Sequence, residues 1–165
     1  MSIPKRHSSP ENIKSRQRTF FVTTSTDGKR GLLQTERMAM LLIDVMFHYR
    51  NQGEYKLHEF VVMRNHFHVL ITVGQATTVE RAVQLIKGGF SYRARRELGV
   101  TRAIWQRGFS EDRVRSLEEY HNFRNYIYNN PVRAGLARTP EEYPYSTANA
   151  KFRRTPLKSA AAKAS

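Results

Sequence analysis

Residues 55–73 read YKLHEFVVMRNHFHVLITV, two runs of β-branched and aromatic residues with only Arg64-Asn65 between them. Strands at 55–63 and 66–73 joined by so short a link must fold back on each other, so the segment predicts an antiparallel hairpin. Asn65 tolerates the positive φ that such turns need. Strand side chains alternate between faces. His66, His68 and Leu70 therefore point one way and Phe67, Val69 and Ile71 the other. The second set predicts the face packed under helices, which leaves both histidines on the opposite face with Cα atoms about 6.6 Å apart.

Helices flank this hairpin. Thr35 is a plausible N-cap, Met38, Leu41, Leu42, Val45 and Tyr49 recur at helical spacing, and Gly53 supplies a stop. Thr77-Thr78-Val79-Glu80 reads as a capping box, followed by the stripe Val79, Val83, Ile86, Phe90 and Ala94. Gly88-Gly89 weakens that helix and predicts a kink or the close approach of another backbone. TFFVTTS (19–25) is a strand, and residues 103–115 hold another with a Gly interruption. The order strand, helix, strand, strand, helix, strand is the split βαβ, ferredoxin-like arrangement, an α+β fold. It places both helices on one face of an antiparallel sheet. A further helix opens at the capping box Ser116–Glu119, with Tyr120, Phe123 and Ile127 as its buried stripe, and is expected to break at Asn130-Pro131.

Two imidazoles on one strand face either pack as half-exposed aromatic rings or converge on one ion. An ion needs further ligands. The chain has no cysteine, which removes thiolate ligands and disulfides and fits a reducing cytoplasm. Glu59 on the neighbouring strand and Asn130 beyond the last helix are the candidates, and an oxygen-rich set would favour Mg²⁺ or Mn²⁺ over zinc. In YIYNNPVRAGL, Tyr126 and Asn130 lie four apart on one helical face, whereas Tyr128 is about 200° from Tyr126 around the axis. By spacing alone, both tyrosines could simply pack.

Charge narrows the partner. Lys and Arg number 28 against 14 Asp and Glu, a net +14. Residues 1–18 carry five basic side chains and one acid, and residues 151–165 five basic side chains and no acid. Basic ends on a moderately basic body point to a polyanion, most often nucleic acid. The candidate phosphate contacts are Lys5, Arg6, Lys14, Arg16 and Arg18 in the arm, and Lys87, Arg93, Arg95 and Arg96 in the body. Trp105 and Phe109 read as core, and Tyr92 as a possible stacking surface. No segment reads as a secretory leader, and the longest apolar run, MAMLLIDVMF, is broken by Asp44 and too short to span a bilayer. The expected location is the cytoplasm, on DNA.

The stretches MRNHFHVLI, IWQRGF, YIYNNPVRAGL and EEYPYST together resemble the REP-associated tyrosine transposases, within the single-tyrosine transposases that carry a His-hydrophobic-His motif. The resemblance spans roughly residues 17–150. One departure is Arg64, where relatives often have Pro. The resemblance implies a ferredoxin-like fold, Tyr126 as nucleophile, and His66, His68 and Asn130 as ligands of Mg²⁺ or Mn²⁺. It also implies a single-stranded DNA substrate bearing hairpin-forming palindromic repeats, cut through a 5′-phosphotyrosine and open to rejoining. The expected layout is a basic arm (1–18), a catalytic domain (19–138) and an irregular basic tail (139–165), in a monomer or homodimer. A silent nucleic-acid-binding protein of the same fold, and a phosphodiesterase that uses water, remain the alternatives.

Overall fold

The computed structural model describes residues 17–152. Four strands, β1 (Arg18–Ser25), β2 (Lys56–Val62), β3 (His66–Val73) and β4 (Ser110–Val114), form one antiparallel sheet in the order β2-β3-β1-β4. The helices are α1 (Glu36–Asn51), α2 (Val79–Leu98) and α3 (Leu117–Arg133). This is the split βαβ order with a helix added. Helix starts follow side-chain caps: Thr35 Oγ1 accepts from Met38 N, and Ser116 Oγ accepts from Glu119 N. At α2 the cap is Thr78 rather than Thr77, with its Oγ1 accepting from Arg81 N.

Alternation along the strands gives the sheet two different faces. Phe20, Val22, Phe60, Phe67, Val69 and Ile71 pack under α1 and α2 in the main core, with Leu42, Met46, Ile86 and Phe90 above them. On the other face α3 covers a smaller cluster of Phe21, Val61, Met63, Leu70, Val114, Ile127 and Tyr143, flanked by half-buried Tyr120 and Phe123. The further helix thus occupies the face that the two-helix layer leaves open.

Several local expectations are corrected. Asn65 does not adopt positive φ; among the described residues other than glycine only Lys29 does. The turn is held from outside instead, because Thr26 N donates to Asn65 O and Leu33 N to Arg64 O. Gly89 gives room to side chains rather than to backbone. A Cβ there would lie 2.9 Å from Tyr49 Cε2 and 3.1 Å from Val45 Cγ1, whereas one at Gly88 would meet nothing. Helix α2 runs through both glycines without a break. Nor does Pro131 break α3. So near the C-terminus it forfeits one ladder bond, and its ring is buried, as Ile127 is, while its carbonyl accepts from Leu136 N.

The segment after residue 138 is not a tail as far as residue 152. Val62 N donates to Tyr145 O, Thr147 N to Phe60 O and Tyr143 Oη to Val62 O, so the return seals the outer edge of β2. Phe152 packs on Phe47 and Phe60.

Candidate active site

The site grows from register. Pairing of β1 with β3 sets Thr23 opposite His68 and Ser25 opposite His66. Thr23 Oγ1 shares a 2.8 Å hydrogen bond with His68 Nδ1. Phe21, two residues back on the same face, stacks on the His68 ring at 5.1 Å and on Phe123 of α3 at 4.5 Å. These contacts leave His68 only 4% exposed. The two imidazole centroids lie 4.9 Å apart.

Burial favours the neutral form of both rings. Burial, reinforced by the neighbouring His66 and Arg133, pushes the His68 pKa from 6.5 down to about 3. Burial, helped by Lys29, lowers that of His66. His66 Nδ1 lies 2.7 Å from Asn65 Oδ1, and the Asn65 amide is oriented by its own donation to Lys29 O. An amide oxygen only accepts, so the His66 proton sits on Nδ1 and the Nε2 lone pair is free. His68 Nε2 is buried and has no hydrogen-bond partner among the described residues. An orphaned imidazole nitrogen beside a second free one suits a divalent cation. Among the described residues no group of three or more His, Cys, Asp or Glu stands close enough to hold an ion. Among the described residues, a further ligand would have to come from outside that set of side chains, such as an amide oxygen. This corrects the expectation for Glu59, whose Oε1 accepts from Tyr128 Oη at 2.8 Å.

The two tyrosines of α3 part company. Tyr126 is 41% exposed, and its ring lies edge-on to His68 at 5.4 Å and to Phe21 at 5.7 Å. Tyr128 turns to β2 and spends its hydroxyl on Glu59. Asn130 is half-buried, one turn beyond Tyr126 in the same helix. Arg133 closes the helix, and its Cζ stands 4.5 Å over the Tyr126 ring centroid.

The expected phosphate contacts divide. Lys5, Arg6, Lys14 and Arg16 lie outside the described residues. Arg18 is a correction: it opens β1, is 2% exposed, and gives its guanidinium to Gly74 O and Thr77 O. Lys87 is another, since its Nζ donates to Gln106 O and Gly108 O and ties α2 to the approach of β4. Arg93 pairs with Asp44 and Glu97. Arg95 and Arg96 are exposed, but on α2, across the sheet from Tyr126. Trp105 and Phe109 belong to the main core, as read, and Tyr92 is exposed.

Sequence reasoning missed Phe21, Thr23, Asn65 and Arg133. The first two depend on pairing register, which leaves no local signal. Arg133 had one: it follows Tyr126 by seven residues, two helical turns, but expecting the helix to end at Asn130 hid it.

No helix among the described residues is long and apolar enough to cross a membrane. A REP-associated tyrosine transposase of Escherichia coli strain K12 is 26% identical over 130 residues, covering 78% of this chain and 75% of the relative. The fold matches the structure of a REP-associated tyrosine transposase bound to a REP hairpin, with a TM-score of 0.72 at 24% identity, over 96% of this chain and 87% of that one. A crystal structure of a candidate transposase from Deinococcus radiodurans matches with a TM-score of 0.54 at 16% identity, over 78% of this chain and 97% of that one. The family model for IS200-like transposases matches residues 16–130, and the chain belongs to that transposase family.

Proposed function

We propose that this transposase cleaves and rejoins single-stranded DNA at or near hairpin-forming repeats, with Tyr126 as nucleophile. The observation that carries the reading is an exposed tyrosine ring 5.4 Å from a buried, neutral histidine whose partner imidazole lies 4.9 Å away. Tyr126 Oη attacks the phosphorus, the bond to the DNA 3′-oxygen breaks, and the tyrosine proton ends on that oxygen. The products are a 5′-phosphotyrosine and a free 3′-hydroxyl. One phosphodiester replaces another, so little energy is lost and the hydroxyl can attack back to rejoin strands.

His66, His68 and Asn130 would hold Mg²⁺ or Mn²⁺, which supplies charge neutralisation at the scissile phosphate. Thr23, Asn65 and Phe21 fix the two rings so that a nitrogen of each stays available. The likeness to a relative solved with a REP hairpin supports hairpin-bearing DNA as the substrate class. The basic arm, through Lys5, Arg6, Lys14 and Arg16, would add phosphate contacts in whichever compartment holds the DNA.

The test is incubation with hairpin-bearing single-stranded DNA and Mn²⁺, followed by denaturing electrophoresis. A denaturation-resistant adduct is expected. A product with a free 5′-phosphate and no adduct would indicate water as nucleophile, and metal-dependent binding without cleavage a silent binder. Deleting residues 1–16, while sparing the structural Arg18, should flatten the salt dependence of log affinity by about 0.7 per lost contact. An unchanged slope would remove the arm from the interface.

A further inference from the structure

Arg133 stands apart from the other arginines whose charge the structure explains. Arg93 is paired with Asp44 and Glu97, Arg30 with Asp27, and Arg138 lies beside Glu142. Arg133 forms no ion pair with any described acid; its contact is the face of Tyr126, 4.5 Å from Cζ to the ring centroid. It is exposed, and it is the last residue of α3, where the carbonyl end of the helix favours a cation. The Tyr126 ring is fixed on its other contacts by the edge-on packing of Phe21 and His68. The guanidinium is therefore carried on the same ring as the attacking oxygen.

We infer that Arg133 is a substrate-contacting catalytic residue that clamps the non-bridging oxygens of the scissile phosphate from its place over the Tyr126 ring. The inference rests on the proposed role of Tyr126. A ring offers a guanidinium no hydrogen-bond acceptor in its plane, so the N–H groups remain to be satisfied, and two parallel N–H groups match two phosphate oxygens. A phosphorus within reach of Tyr126 Oη brings those oxygens to the guanidinium. As the Oη–P bond forms and the P–O3′ bond breaks, the tyrosine proton goes to the 3′-oxygen and negative charge gathers on the non-bridging oxygens. A fixed cation there stabilises the transition state more than the ground state. The same contact serves rejoining, which passes through the same arrangement in reverse.

The test uses the full chain with Mn²⁺ and a hairpin-bearing single strand whose scissile phosphate is either natural or a methylphosphonate, which replaces a charged oxygen with methyl. On natural DNA, Arg133→Ala should slow adduct formation by about 10²–10³-fold, and Arg133→Lys by less. The diagnostic is substrate preference. The unchanged chain should favour the phosphodiester, whereas Arg133→Ala should lose or reverse that preference, because the charge it no longer neutralises is gone. A purely structural arginine would slow both substrates equally. An equal preference in the two proteins, or a wild-type rate in Arg133→Ala, would overturn the assignment. Should the alanine variant fail to fold by circular dichroism, Arg133→Gln, which keeps a long side chain without the charge, carries the same comparison. Absence of any adduct from the unchanged chain would instead sink the reading of Tyr126, and this one with it.

Discussion

The two faces of β3 differ in kind although they alternate residue by residue. Phe67, Val69 and Ile71 are fully buried under two helices, in the main core. His68 and Leu70 meet a single helix, and His66 lies at the edge of that face, half-buried. One face closes completely. On the other, α3 buries only Ile127 and Pro131 of its own residues and leaves Tyr126 exposed at the rim. A reactive group can be held rigidly and still be reached by a macromolecule when it sits at the edge of a small core rather than inside a large one.

The sharpest way to break this contrast is on α3. Tyr126→Phe removes one oxygen and should abolish the DNA adduct while changing stability by no more than about 0.5 kcal/mol, as expected at an exposed position. Tyr128→Phe should keep the adduct and instead lose the bond to Glu59, at about 1 kcal/mol or more. Peptide mapping of trapped DNA decides between them, and an adduct on Tyr128 would reverse the assignment.

Next comes β3 itself. Phe67→Ala empties a fully buried site and should cost about 3–5 kcal/mol in denaturant unfolding. His66→Ala, half-buried, should fold well and lose metal-dependent cleavage. His68→Ala should lose cleavage too, but at some cost in stability, because its ring is stacked on Phe21 and bonded to Thr23. Alternation by itself predicts no cost at either histidine; the depth of His68 is a tertiary fact. Full cleavage by both variants would eliminate the metal site.

Acid should reveal the same asymmetry. The folded pKa of His68, about 3, lies below its ordinary 6.5, so the unfolded chain binds the proton first. Stability from this group is complete above pH 6.5 and lost as pH falls toward 3. His66 and His58 shift in the same direction, also through burial. Unfolding in chelator should show this acid limb, and His68→Gln should flatten it. A limb of the same slope in that variant would assign the effect elsewhere.

The smallest effect lies on the closed face. Gly88→Ala meets open space and should stabilise α2 by about 1 kcal/mol. Gly89→Ala should gain less or lose stability, because Tyr49 and Val45 must give way. Equal gains at both would mean that α1 and α2 are less tightly packed than the structure shows.

Much of this molecule was legible before folding because the relevant signals are local. The two-residue link at Arg64-Asn65 forces the hairpin, strand alternation separates His66 and His68 from Phe67, and helical spacing separates Tyr126 from Tyr128. Charge was the least reliable guide. Arg18 and Lys87 were read as surface contacts, yet each is spent on backbone carbonyls distant in sequence. A long side chain's destination depends on which loop the fold brings past it, and no local pattern records that.

The sequence by itself determined the secondary elements and their order, because periodicity and turn length act over a few residues. Only the tertiary structure decided that α3 continues through Pro131, since the burial of that residue depends on how distant elements pack. It also decided that Thr23 meets His68, through a strand register between residues 45 positions apart. And it decided that Arg133 lies over Tyr126, because that contact exists only while the helix holds its last turn.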